Sequence, residues 1–181
     1  MTKHLSLLLI SLLIISCQGN ENNGDDLSPG NRKSPIAITS VKNNGTYIKV
    51  VYGQPYRNGR DIFGDLVPYG EVWRTGANEA TEITITETIL VGEEAVQAGT
   101  YSLFSIPGEN EWTIILNSTL GQWGAFDYNQ DTDYKRIIFP VKSIEDPVES
   151  FSISFSDVNL NRTIMSLKWD TVQVDIPIRF Y

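Results

Sequence analysis

Phe151-Ser152-Ile153-Ser154-Phe155-Ser156 and Val172-Gln173-Val174-Asp175-Ile176-Pro177-Ile178-Arg179-Phe180 decide the fold class. In both stretches every second residue is large and apolar, while the residues between are Ser, Gln, Asp, Pro or Arg. Successive side chains leave opposite sides of an extended chain, so a period of two marks a strand with one buried face. Similar alternation, or runs rich in β-branched and aromatic residues, recurs at 36–41, 46–52, 82–91, 100–106, 111–117, 134–141 and 163–169. Turn-forming clusters lie between them: Asn43-Asn44-Gly45, Ala98-Gly99, Pro107-Gly108-Glu109-Asn110 and Glu145-Asp146-Pro147. No stretch carries a helical period. About nine short strands predict an all-β fold, a two-sheet antiparallel β-sandwich with a β-barrel as the alternative. Trp112, Ile114 and Leu116 share one strand face and Ile115 lies on the other, which predicts a central strand apolar on both sides. Trp169, in register with Met165 and Leu167, is expected in the core.

Outside this region the amino terminus reads as an address. Lys3 precedes an apolar run from Leu5 to Ile15 broken only by Ser6 and Ser11. A bilayer-spanning helix needs about 20 apolar residues, so the run is too short to span and residues 1–16 are expected to be a cleaved signal peptide. Ile14-Ile15-Ser16-Cys17 resembles the bacterial lipobox, whose cysteine is acylated and becomes the first residue of the mature lipoprotein. Cys17 is therefore expected to carry palmitate-type chains and to make the membrane a partner. Gln18, Gly19 and Asn20 follow it with no acidic residue among them, which points to the outer membrane of the cell envelope. Residues 17–34, rich in Asn, Gly and Asp, are read as a flexible tether, and 35–181 as a single β-sandwich domain.

The same processing narrows the chemistry. Cys17 is the only cysteine and His4 the only histidine, so the mature chain keeps no imidazole and no free thiol. Ser-His-Asp and Cys-His catalysis and imidazole or thiolate zinc sites are thereby excluded. No Ser-x-x-Lys, Gly-x-Ser-x-Gly or Gly-x-x-x-x-Gly-Lys occurs either. No cofactor and no metal is expected. The spacing Asp127-x-Asn129-x-Asp131-x-Asp133 invites a calcium reading, but Thr132 and Ile138 stand where an EF-hand needs Gly and Glu. A net charge of −8 speaks against binding nucleic acid, which relies on clustered Lys and Arg. A crosslink from Lys49 to Asn78 or Asn117 rests on residue types alone.

One stretch is dense in polar groups. It contains Gly59-Arg60-Asp61-Ile62-Phe63-Gly64 and then Trp73-Arg74-Thr75-Gly76-Ala77-Asn78-Glu79-Ala80-Thr81. Farther on come Ala98-Gly99-Thr100-Tyr101-Ser102-Leu103-Phe104 and Glu111-Trp112-Thr113. Together these blocks resemble the signature of the bacterial "domain of unknown function 2911" family, over most of 36–181. The resemblance implies an exported β-rich domain and brings no activity. Read physically, the stretch holds Arg57, Arg60 and Arg74 but no Lys, and the planar guanidinium fork suits carboxylate or phosphate. A polar pocket built by Arg60, Trp73, Arg74, Asn78 and Glu79 is the predicted site, for a small anionic or glycan ligand. The competing structural reading pairs Arg74 with Glu79 or Glu71 inside a long connection. Trp123, Phe126 and Tyr128 in the next Gly-bearing loop offer a stacking surface for a sugar, or else cover an open end of the fold. The expected function is a non-catalytic binding or structural lipoprotein. Its rivals are a carboxylate-based, glycan-acting enzyme with Glu79 as the catalytic residue, and a protein-partner docking module.

Overall fold

The computed structural model describes residues 31–181, so the signal peptide, Cys17 and most of the tether lie outside the described residues. Among these residues nine antiparallel strands make up the fold: β1 (Ile36–Asn43), β2 (Thr46–Gly53), β3 (Thr81–Ile85), β4 (Ile89–Val91), β5 (Glu94–Val96), β6 (Gly99–Ile106), β7 (Glu111–Asn117), β8 (Asp133–Asn159) and β9 (Arg162–Phe180). They hydrogen-bond in the order β1-β2-β3-β6-β7-β8-β9-β4-β5, one continuous sheet that does not close into a barrel. The only helical element among the described residues outside the chain's entry is a short 3-10 turn, Gln130–Thr132. The expected all-β antiparallel class is what the chain adopts.

The long strand β8 explains how one sheet makes a sandwich-like core. Its first part pairs with β7 up to Pro140, and from Val141 onward it pairs with β9. Register shifts between Ser143 and Val148 and between Val148 and Ser152 follow this change of partner, and irregularities of this kind bend a strand. The two layers are therefore continuous through β8 rather than separate sheets. Pro147 and Pro177 sit in gaps of the ladder, between Ser143 and Val148 on β8 and between Val174 and Ile178 on β9. A residue with no N–H to donate is tolerated there.

Between the layers lies an aromatic cluster. Trp73 stacks on Trp169 at 6.0 Å and 18° and meets Trp112 edge-on at 6.0 Å. Phe63 and Phe151 fill its sides. Such pairs add about 0.5–1.5 kcal/mol each beyond the apolar area they bury. Trp112, Ile114 and Leu116 belong to this main core, whereas Ile115 packs with Phe104 and Ala80 on the other face. β7 is thus apolar on both sides, as its sequence predicts.

Strand boundaries differ in four places. The run 82–91 splits, because exposed Thr86 caps Tyr47 through its hydroxyl (2.8 Å) and β4 then leaves to pair with β9. The segments around 134–141 and 151–156 fuse into β8, and 163–169 and 172–180 fuse into β9. The short strand β5, joined to β4 by the two-residue turn Gly92-Glu93, has no alternating signal of its own.

Candidate functional site

The connection between β2 and β3 is folded by its motif residues. Trp73 lies in the core and its Nε1 donates to Gly76 O at 3.1 Å. Fully buried Thr75 adopts φ +52°, a conformation that costs a β-branched residue about 1–2 kcal/mol. Its hydroxyl contacts Ser105 Oγ at 3.0 Å, and its carbonyl accepts from Thr81 Oγ1 at 2.7 Å. A Cβ on Gly76 would lie 2.9 Å from Gly53 O, so only glycine fits where the loop crosses the end of β2. Trp73, Thr75, Gly76 and Thr81 thus form a clasp, and their chemistry is spent inside it.

Arg74 and Glu79 do not share a pocket. Arg74 is half-buried, and Nη1 donates to Asn78 O at 3.2 Å. Among the described residues no carboxylate lies within ion-pair distance of it. Burial pushes its guanidinium below the usual arginine value, although it remains charged at any physiological pH. It lines a depression of about 310 Å³ with Leu66, Pro68, Glu71, Val72 and Phe126. Gly124 creates part of this space: a Cβ there would sit 2.9 Å from both Arg74 Nη1 and the Phe126 ring. Phe126 is 82% exposed at the rim.

Glu79 takes a different partner, and one that sequence reasoning missed. Its two carboxylate oxygens accept from Nη1 and Nη2 of Arg32, each at 2.6 Å. The Arg32 hydrogen bonds, opposed by partial burial, hold its carboxyl below the usual range. Asn78 Nδ2 reaches Ser34 O at 3.5 Å, so the last residues of the stretch read as a tether lie against the sheet. Glu79 lines a second depression, of about 220 Å³, with Glu82, Gln122, Ile36 and Val51. Arg60 joins neither, since its Nε donates to Arg57 O at 2.9 Å and its Nη2 to Tyr56 O. Of the five predicted site residues, Trp73 belongs to the clasp and also lines the Arg74 depression, Arg60 belongs to its own turn, and Asn78 with Glu79 to the contact with 32–34. Arg74 is the cation among the five that lines a cleft.

The following loop is held by a buried network. Asn117 Nδ2 donates to Asn129 O, Thr132 Oγ1 and Asp133 Oδ1 at 2.9–3.0 Å. Tyr128 Oη donates to Asp133 Oδ2 at 2.6 Å. Asn129 caps the 3-10 turn through Asp131 N at 3.0 Å. Asn129 and Asp133 of the calcium-like spacing are therefore engaged within the loop, and among the described residues no cluster of three His, Cys, Asp or Glu side chains is placed to hold a metal ion. Asn117 is committed to this network and Lys49 faces Ser40 and Thr84 on neighbouring strands, so nothing here supports their crosslink.

A family model described as "Protein of unknown function (DUF2911)" matches residues 34–178. No curated protein and no solved structure matches the chain.

Proposed function

Since the chain belongs to the DUF2911 family, whose description assigns no activity, its role has to be argued from the site, and we propose that it is a non-catalytic binding lipoprotein that holds a small anionic ligand in the Arg74 cleft. One observation carries this reading: a half-buried guanidinium with no carboxylate in ion-pair distance among the described residues lines a concave, largely apolar depression. Burying a charge without a counter-charge is costly, and an arginine so placed gains most from an anion brought by a ligand. Phe126, Leu66 and Pro68 add apolar surface for the ligand's body, such as the ring of an acidic sugar. The rival role of Glu79 as the catalytic residue of a carboxylate-based, glycan-acting enzyme has less support, because Arg32 engages both of its oxygens and holds its carboxyl below the usual range, which disfavours it as a proton donor.

Acylation at Cys17 would place this cleft at a membrane, in the cell envelope and most simply at the outer membrane. Cys17→Ser should then move the protein from the membrane fraction to the soluble one. For the cleft, thermal-shift and calorimetric screening against uronic acids, carboxylates and phosphates should give a hit that Arg74→Gln weakens about tenfold or more, as expected for a lost charge-assisted pair of about 1.5–3 kcal/mol. Phe126→Ala should cost about threefold to tenfold. Binding untouched by Arg74→Gln rejects the assignment.

A further inference from the structure

The depression beneath Glu79 has the opposite polarity to the Arg74 cleft, and its residues are not used by the function proposed above. Three acceptor-bearing side chains, Glu79, Glu82 and Gln122, line it. Glu79 and Glu82 lie three residues apart where β3 begins, and Glu82 gives one oxygen to Gly121 N at 3.1 Å. Gln122, only 6% exposed, donates Nε2 to Thr119 O at 2.9 Å. A carbonyl only accepts, so that bond fixes the amide's orientation. It leaves Gln122 Oε1 as a buried acceptor with no partner among the described residues. Such an orphan is unusual and asks for a donor. Around these groups the wall is apolar, from Ile36, Val51 and Ala80.

Two carboxylates and an unpaired amide oxygen beside aliphatic surface are complementary to a donor-rich cation on an aliphatic stem. The chain itself supplies such a group. Arg32, just ahead of β1, places its guanidinium on Glu79 in the two-point geometry of an arginine–carboxylate fork, with its side chain 7% exposed. Glu79 is 44% exposed, so a competing cation can reach its carboxylate from the open side.

We propose that the Glu79–Glu82–Gln122 cavity is a second binding site, specific for an alkylguanidinium group such as an arginine side chain of a peptide, and that Arg32 occupies its charged rim in cis. A ligand must displace Arg32, whose attachment keeps it at a high effective concentration and lowers the apparent affinity. Displacement releases Arg32 from Glu79, while Gln54 N donating to Pro35 O (2.8 Å) and Asn78 Nδ2 donating to Ser34 O (3.5 Å) still hold the residues next to β1, so occupancy of this cavity is coupled to the position of Arg32.

The test is titration of the full-length protein in detergent with n-butylguanidinium chloride at constant ionic strength, followed by NMR or calorimetry. Arg32→Gln should tighten binding about fivefold by removing the internal competitor. Adding Glu79→Gln to that variant should abolish it, and adding Gln122→Leu should weaken it severalfold. Far-UV circular dichroism checks that each variant is folded, and if Gln122→Leu is not, the two other substitutions still decide. The proposal is overturned if folded Arg32→Gln binds the probe no more tightly than the parent, or if Glu79→Gln leaves the affinity of Arg32→Gln unchanged.

Discussion

Gly53 and Gly59 show how differently two glycines in one connection are constrained. A Cβ on Gly53 would lie 2.0 Å from Ala77 O, against backbone that is itself pinned by Ala77 N donating to Gly53 O at 3.1 Å. Gly59 has φ +70° but open space around it. Gly53→Ala is therefore expected to cost more than about 3 kcal/mol, or to prevent folding, whereas Gly59→Ala should cost only the left-handed strain of about 1–2 kcal/mol. Urea denaturation of the two variants checks the contrast, and equal losses would contradict it. Tyr128 makes a second residue-scale prediction. Burial, then its hydrogen bond to Asp133 and the charge of that carboxylate, push its hydroxyl up to about 12. The folded state thus favours protonated Tyr128 more than the unfolded chain does. That stabilisation is complete below the ordinary tyrosine value of 10.0 and is lost as pH rises toward about 12. Burial raises Tyr52 and Tyr101 as well, so ultraviolet titration should show several late-ionising tyrosines, of which Tyr128→Phe removes one.

At the scale of elements, the pairing of β8 with β9 concentrates polar support on Asp175. It accepts from Lys142 Nζ (2.7 Å), Ser166 Oγ (2.6 Å) and Gln173 Nε2 (2.7 Å), with its side chain 15% exposed. Burial alone raises a carboxyl's pKa, but here the three donors and the lysine charge outweigh it and lower it. The sign follows: stability from this group is present above the ordinary aspartate value of 3.8 and is lost as pH falls through the depressed value. Asp175→Asn should therefore cost about 1–3 kcal/mol at neutral pH, and the difference from the parent should shrink in acid. Denaturation series at both pH values measure it, and a pH-independent difference would count against the account. The elements also show where local pattern misleads. Phe151–Phe155 and Val172–Phe180 alternate as strands must, yet each is only part of a longer one, because β8 and β9 change partners without breaking the chain's extension.

The whole molecule has no disulfide to rely on among the described residues, and its two layers share one aromatic core contributed by the 53–81 connection (Trp73), β7 (Trp112) and β9 (Trp169). Neither layer can lose its packing without exposing the other. Urea unfolding is expected to be a single transition, with near-ultraviolet and far-ultraviolet circular dichroism coinciding. Trp73→Ala should lower its midpoint by the equivalent of about 3–5 kcal/mol. Separated transitions would show that the layers unfold independently. Alternation and turn chemistry are properties of neighbouring residues, so the all-β class, the two-faced β7 and the buried Trp169 are legible before any coordinates. The family blocks are legible too, though not what they do: the clasp of Trp73, Thr75, Gly76 and Thr81 looks in one dimension like the polar residues beside it. The partner of β8 at each point, the division of Arg74 and Glu79 between two cavities, and the pairing of Glu79 with Arg32, 47 residues away, were settled only by folding. Hydrogen bonds and ion pairs join atoms close in space, and a sequence orders its residues along the chain alone.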